Sequence, residues 1–255
     1  MIDRRELLVK ARKRNLPLGM IEKDYVLGWL LFGISEIEGL VFKGGTALSK
    51  IYFPELWRLS EDIDLVSARH FSEITEGIVG VFDKIKTSSG ISLTLKSQHS
   101  NPEYLQMKVQ YAAVLGKNWV KIDVTRETPV DTIARRKVEE VYSDYPDFKI
   151  AAESLEEIGA EKLRSLLERK KSRDFYDVWR LFQSQPSLEK LTMLFLKKCQ
   201  YKKIEFHGPQ QFFPEDLADI LMGYWPREIA RLVHPVPDLG GVLEDLQTWL
   251  AFLEK

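Results

Sequence analysis

At 255 residues the chain is long enough for one large domain or two modest ones, each with an ample core. An apolar fraction of 44% and a charged fraction of 29% fit a soluble globular protein, and no apolar run approaches the roughly 20 residues that span a bilayer. The formal net charge of −1 excludes a globally basic nucleic-acid binder, and the single Cys199 excludes an internal disulfide and fits a reducing, cytoplasmic setting.

The opening MIDRRELLVKARKR lacks the apolar segment and cleavage site of a secretory signal. Its charged and apolar residues recur at helical spacing, which predicts an amphipathic helix over residues 3 to 14. Pro17 and Gly19 end it. The next stretch, MIEKDYVLGWLLFGI, predicts a more buried helix with Glu22, Lys23 and Asp24 in its first turn, where the helix macrodipole favours acids.

Residues 40 to 42 read as a strand entering a Gly44-Gly45 turn, and Thr46 to Tyr52 as a helix that Pro54 stops. The turn is not a Walker loop, because Ser49 stands where that pattern needs glycine. Glycines here let the backbone approach a bound phosphate. A second strand follows, carrying Asp62 and Asp64 on one face and Ile63 on the other. Two carboxylates so close repel unless a cation lies between them, and hard divalent cations such as Mg²⁺ prefer such oxygens. The plainer alternative is a strand end with two solvated acids.

Residues 71 to 86 predict a helix and residues 87 to 90 a turn. From Ile91 the pattern changes to alternation in ISLTLKSQ, LQMKVQYAAV and NWVKIDVTRE, which predicts three strands, the last two joined by a turn at Gly116, Lys117 and Asn118. On the last strand Trp119, Lys121, Asp123 and Thr125 share a face. Asp123 is thus a candidate third carboxylate, placed to share a cation and to take a proton from an attacking hydroxyl.

A strand is expected near residues 149 to 151, and Ser154 with Glu157 has the spacing of a capping box. In the helical EKLRSLLERKKSRDFYDVWRLF that follows, Lys162, Arg169 and Arg173 are candidates to converge on a phosphate, and Asp174 and Asp177 share one helical face. The basic residues of this stretch, and those at 197, 198, 202 and 203, make either a local basic patch or a solvated helix face. The remainder predicts packed helices, with Phe212, Phe213, Tyr224 and Trp225 in their core. The four histidines have no partner spacing for zinc.

FKGGTALSK followed by RLSEDIDL resembles the nucleotidyltransferase signature in the form carried by AbiEii-type abortive-infection toxins and their MenT relatives. Glu-Lys-Asp-Tyr at 22 to 25 and the Lys162 to Asp177 stretch extend the likeness from about Ile21 to about Leu181. The resemblance implies an α/β fold: a mixed-sheet nucleotidyltransferase domain over residues 1–158, then a helical domain over 159–255. It implies transfer of a nucleoside monophosphate from an NTP to an RNA hydroxyl, with the tRNA 3′ acceptor end as target. Asp62, Asp64 and Asp123 would hold Mg²⁺ or Mn²⁺. Lys43, Gly44, Gly45, Thr46, Arg58, Ser60, Lys162 and Arg173 would hold the nucleotide, with Asp174 and Asp177 in the active-site wall. It further implies a toxin–antitoxin pair in phage defence, with a cognate antitoxin as partner. A protein-directed nucleotidyltransferase and a module that binds without catalysis are the alternatives.

Overall fold

Asp3 caps the first helix, its carboxylate accepting the Glu6 backbone N–H at 2.8 Å, which satisfies a donor the helix start leaves open. This helix, α1 (Arg4–Arg14), buries only Leu7 and Ala11. The second, α2 (Leu18–Ile34), buries nearly every side chain, as an apolar sequence on all faces requires. The computed structural model describes residues 1–54 and 57–254. Its backbone divides into two units, Met1–Glu153 and Ser154–Lys255.

After α2 the first unit continues through β1 (Val41–Lys43) and a short helix, α3 (Gly44–Ala47), that widens into a π-turn over Leu48–Tyr52. Then come β2 (Asp62–Val66), α4 (Phe71–Gly80), α5 (Phe82–Ser89) and the long strands β3 (Ser92–Asn101), β4 (Tyr104–Ala113) and β5 (Gly116–Thr125). The single helix expected over 71 to 86 is broken at Val81, which caps both pieces. The hairpin turn lies at residues 114 and 115, since Ala113 pairs with Gly116, so it comes earlier than the glycine suggested. Two short strands, β6 (Ala134–Lys137) and β7 (Lys149–Ala152), complete the unit. The sequence pointed to β7 and gave no sign of β6, whose ARRK has no apolar alternation.

Among the described residues the sheet has seven strands in the order β3-β4-β5-β2-β1-β7-β6. It is mixed: β2 runs parallel to β5, and β1 parallel to β7, while the other neighbours are antiparallel. One face is apolar and fully buried through Ile63, Leu65, Leu105, Met107, Val109, Val120, Ile122 and Val124. A parallel β2·β5 pair at the middle of the sheet sets Asp64 directly beside Asp123. The α/β class predicted from the sequence is the one observed.

In the second unit Ser154 caps α6 (Leu155–Glu168), its hydroxyl accepting the Glu157 N–H at 3.2 Å. This backbone unit starts at Ser154, and α6 runs through the boundary expected at 159. Four more helices follow: α7 (Ser172–Phe182), α8 (Leu188–Tyr201), α9 (Leu217–Ala230) and α10 (Leu239–Leu250). Their core gathers Leu163, Phe175, Phe195, Phe212, Trp225 and Leu246. Tyr224 is exposed, contrary to its expected place in that core.

Candidate active site

Backbone pairing assembles the first cluster. β2 presents Asp62 and Asp64 to one side while Ile63 and Leu65 are fully buried on the other. On β5 the matching residues are Lys121, paired with Asp62, and Asp123, paired with Asp64. Paired residues on neighbouring strands point the same way about 5 Å apart, so the three carboxylates share one face. β1 adds Lys43, the cross-strand neighbour of Asp64.

The glycine turn closes on this cluster. Gly44 has φ of +75°, and a Cβ built on it would lie 2.3 Å from the Asp64 Oδ2. Any other residue would strain the backbone and collide with the carboxylate. Thr46 is fully buried, and its hydroxyl donates to the Asp62 carbonyl. Its side chain therefore pins the turn to β2.

Each flanking acid has its own holder. The Lys121 ammonium stands 3.3 Å from Asp62. Burial raises the Asp62 pKa above the usual carboxylate range; Lys121 opposes the shift, and the nearby charges of Asp123 and Glu61 add to it. Asp123 Oδ1 accepts the Tyr104 hydroxyl at 2.6 Å and the Gln106 amide at 3.0 Å, and Gln106 also donates to Tyr104 at 2.9 Å. Burial and the Asp123 carboxylate both push the Tyr104 hydroxyl well up, so it stays a donor. Tyr104, Gln106 and Lys121 were not singled out as site residues from the sequence. Alternation on β4 puts Tyr104 and Gln106 on one face, but which acid they meet depends on pairing across the hairpin.

The donor set suits a hard divalent cation in kind, all carboxylate oxygen, and in place, on adjacent strands beside a glycine turn. As the side chains stand, no group of three or more His, Cys, Asp or Glu among the described residues is gathered around a metal position. The reason is visible: Asp62 is turned to Lys121, and Asp123 to Tyr104 and Gln106. Cation binding would have to exchange the Lys121 contact for the metal.

Other predicted residues have structural partners. Lys43 is buried, with Nζ 3.6 Å from Glu127 Oε2. Arg58 is buried and donates to the Leu59 carbonyl at 3.1 Å, and Ser60 is also largely buried. Glu22 and Asp24 are buried too, which corrects their reading as macrodipole charges, because α2 begins at Leu18. Asp24 Oδ2 lies 2.8 Å from the Lys50 ammonium and accepts the Tyr142 hydroxyl at 2.9 Å. Lys50 follows the glycine turn, so this ion pair ties the turn to α2.

In the second unit Lys162 Nζ is 2.8 Å from Asp177 and 3.5 Å from Asp174, and Arg169 reaches Asp174 at 2.7 Å. Lys162 and Arg169 thus meet on a buried acid, where the sequence suggested convergence on phosphate. Arg173 is exposed on α7.

Comparison with known proteins gives this arrangement its family. The model of the nucleotidyl transferase AbiEii toxins, of type IV toxin–antitoxin systems, matches residues 29–254. The chain belongs to the AbiEii family. Solved structures agree on the fold. MenT4, a nucleotidyltransferase toxin from Mycobacterium tuberculosis H37Rv, superposes with a TM-score of 0.76 at 19% identity, over 99% of this chain and 90% of that one. JHP933 from Helicobacter pylori gives 0.59 at 16% identity, with 93% of each chain covered. A putative nucleotidyltransferase from H. pylori gives 0.60 at 18% identity, covering 93% of this chain and 96% of its own. Comparison with curated protein sequences found no match.

As an AbiEii protein the chain is a nucleotidyltransferase, and its family implies an NTP substrate and a cognate antitoxin. Among the described residues no helix is long and apolar enough to cross a membrane. The AbiEii match begins at residue 29, so Glu-Lys-Asp-Tyr at 22 to 25 lies ahead of it.

Proposed function

We propose that this AbiEii protein transfers a nucleoside monophosphate from an NTP to an RNA hydroxyl, with the tRNA 3′ acceptor end as target, in a cytoplasmic defence role. The observation that supports this is the register that sets Asp64 beside Asp123, with Asp62 on the same face and Gly44 against Asp64. Asp62, Asp64 and Asp123 are the residues that would hold Mg²⁺ or Mn²⁺, which when bound neutralises triphosphate charge and polarises the reacting phosphoryl group.

The chain's own groups do the remaining work. Asp123 accepts the proton of the acceptor hydroxyl as that oxygen bonds the α-phosphorus and pyrophosphate departs. Tyr104 and Gln106, both donating to Oδ1, hold that carboxylate in one orientation. The backbone of Gly44, Gly45 and Thr46 approaches the triphosphate. From the second unit the family resemblance assigns Lys162 to the triphosphate, with Asp174 and Asp177 fixing its ammonium and Arg173 a further nucleotide contact. Lys43, Arg58 and Ser60, all buried, support the turn and the approach to β2.

The test is incubation with each labelled NTP, Mg²⁺, total RNA and cell protein, comparing the natural chain with Asp64→Ala. Label on RNA that disappears in the variant is the expected result. Equal labelling by both removes the carboxylate role, and label confined to protein replaces the RNA acceptor with a protein one.

A further inference from the structure

The sheet face that carries the three carboxylates continues beyond them along β4 and β5 as a polar surface. On β5 it runs from Asp123 through Lys121 to Trp119, a residue 39% exposed. On β4 it includes Lys108, the cross-strand neighbour of Lys121. A tryptophan on the wet face of a strand leaves a large apolar area in water unless something covers it. Here the cover is cationic: the Lys108 ammonium lies 4.2 Å from the indole centroid and the Lys23 ammonium 5.3 Å, both within cation–π range. Lys23 also has Glu61 at 3.3 Å and Lys121 has Asp62 at 3.3 Å, while among the described residues Lys108 is exposed and shows no ion pair.

We propose that Trp119 is the platform on which a base of the acceptor's single-stranded 3′ end stacks, with Lys108 first, then Lys121 and Lys23, meeting its phosphates. The inference rests on the RNA-acceptor reading above and names the part of the surface that holds the acceptor. Trp119 stands four residues before Asp123 on the same strand face, about 13 Å at the rise of an extended strand. A 3′ hydroxyl at Asp123 therefore leaves the nucleotides just before it to cross Lys121 and reach the indole. An aromatic face accepts any base, and lysines beside it track the backbone, which is the chemistry of single-strand recognition. Stacking displaces Lys108 from the ring, and the released ammonium is then next to the phosphate that follows. A duplex cannot present an unstacked base in this way.

Fluorescence anisotropy with a labelled single-stranded oligoribonucleotide ending in a 3′ hydroxyl tests this, using the full chain and the variants Trp119→Ala, Trp119→Phe and Lys108→Ala. Trp119→Ala is expected to weaken binding roughly 10-fold or more, Trp119→Phe to restore most of it, and Lys108→Ala to weaken binding and flatten its salt dependence. An unchanged melting temperature in Trp119→Ala keeps a folding defect from producing the same loss. Undiminished RNA binding by Trp119→Ala, in a chain that labels RNA, overturns the platform and leaves the RNA-acceptor reading standing. A natural chain that binds no single-stranded RNA and labels protein overturns both.

Discussion

Gly44 and Asp64 occupy space that only a hydrogen on the Cα can share, since a Cβ would come within 2.3 Å of the carboxylate oxygen and the backbone φ is +75°. Gly44→Ala is expected to cost about 1–2 kcal/mol of stability from the left-handed backbone alone. It should lower nucleotide transfer much further, by at least roughly 10-fold, because Asp64 must turn away from the face it shares with Asp123. Thermal melting and label transfer measured on the same preparation separate the two effects; transfer equal to that of the natural chain would sink the close-approach argument. Asp62 poses the opposite trade. Its folded pKa is raised by burial, against the pull of Lys121, so the fold favours the protonated carboxyl. That contribution is present below the unfolded value of about 3.9 and is lost as pH rises through the raised folded value. At neutral pH the ionised group therefore works against folding, and Asp62→Asn should gain stability relative to the natural chain as pH goes from 4 to 8 while abolishing transfer. Urea unfolding at both ends of that range checks it, and a variant less stable at pH 8 than at pH 4, relative to the natural chain, contradicts it.

At the scale of elements, the link between α2 and the glycine turn is the buried pair Asp24–Lys50, joined by the Tyr142 hydroxyl. Burial lowers the Lys50 pKa, and Asp24 is what holds it up. Removing one partner strands the other, so Lys50→Met alone is expected to cost about 3–5 kcal/mol, whereas Asp24→Asn with Lys50→Met should recover much of that. A double-mutant cycle by denaturant unfolding reads the coupling, and additive losses would mean the two residues act apart. This link also marks where sequence reading stops. Alternation alone put Asp62 and Asp64 on one face and Asp123 on its polar side, because a strand's period of two is written in its own residues. Asp24 and Lys50 lie 26 residues apart, and Tyr142 farther still, so no local pattern announces that these polar groups are buried together. The same holds for Tyr104 and Gln106, whose meeting with Asp123 depends on hairpin register, and for Lys162, whose charge suggested phosphate before its acidic partners on α7 were known. Val81, a β-branched residue in an apolar run, gave no sign that it would end one helix and begin another.

For the whole molecule, ligand binding and folding are linked through the native state: a substrate that binds only the folded chain must raise its melting point by mass action. NTP with Mg²⁺ at 100 times its dissociation constant stabilises by about 2.7 kcal/mol, and for a chain of this length each kcal/mol moves the midpoint by about 2–4 °C. The natural chain should therefore melt about 5–10 °C higher with NTP and Mg²⁺ together than with either alone. The synergy is the informative part, since carboxylates held by Lys121, Tyr104 and Gln106 gain little from the cation until a triphosphate supplies further oxygens. Asp64→Ala should lose the synergy, with the shifts read from the variant's own melting point in the absence of ligands. Shifts that add without synergy, or that survive in Asp64→Ala, would show the nucleotide held by groups other than the Asp62, Asp64 and Asp123 face.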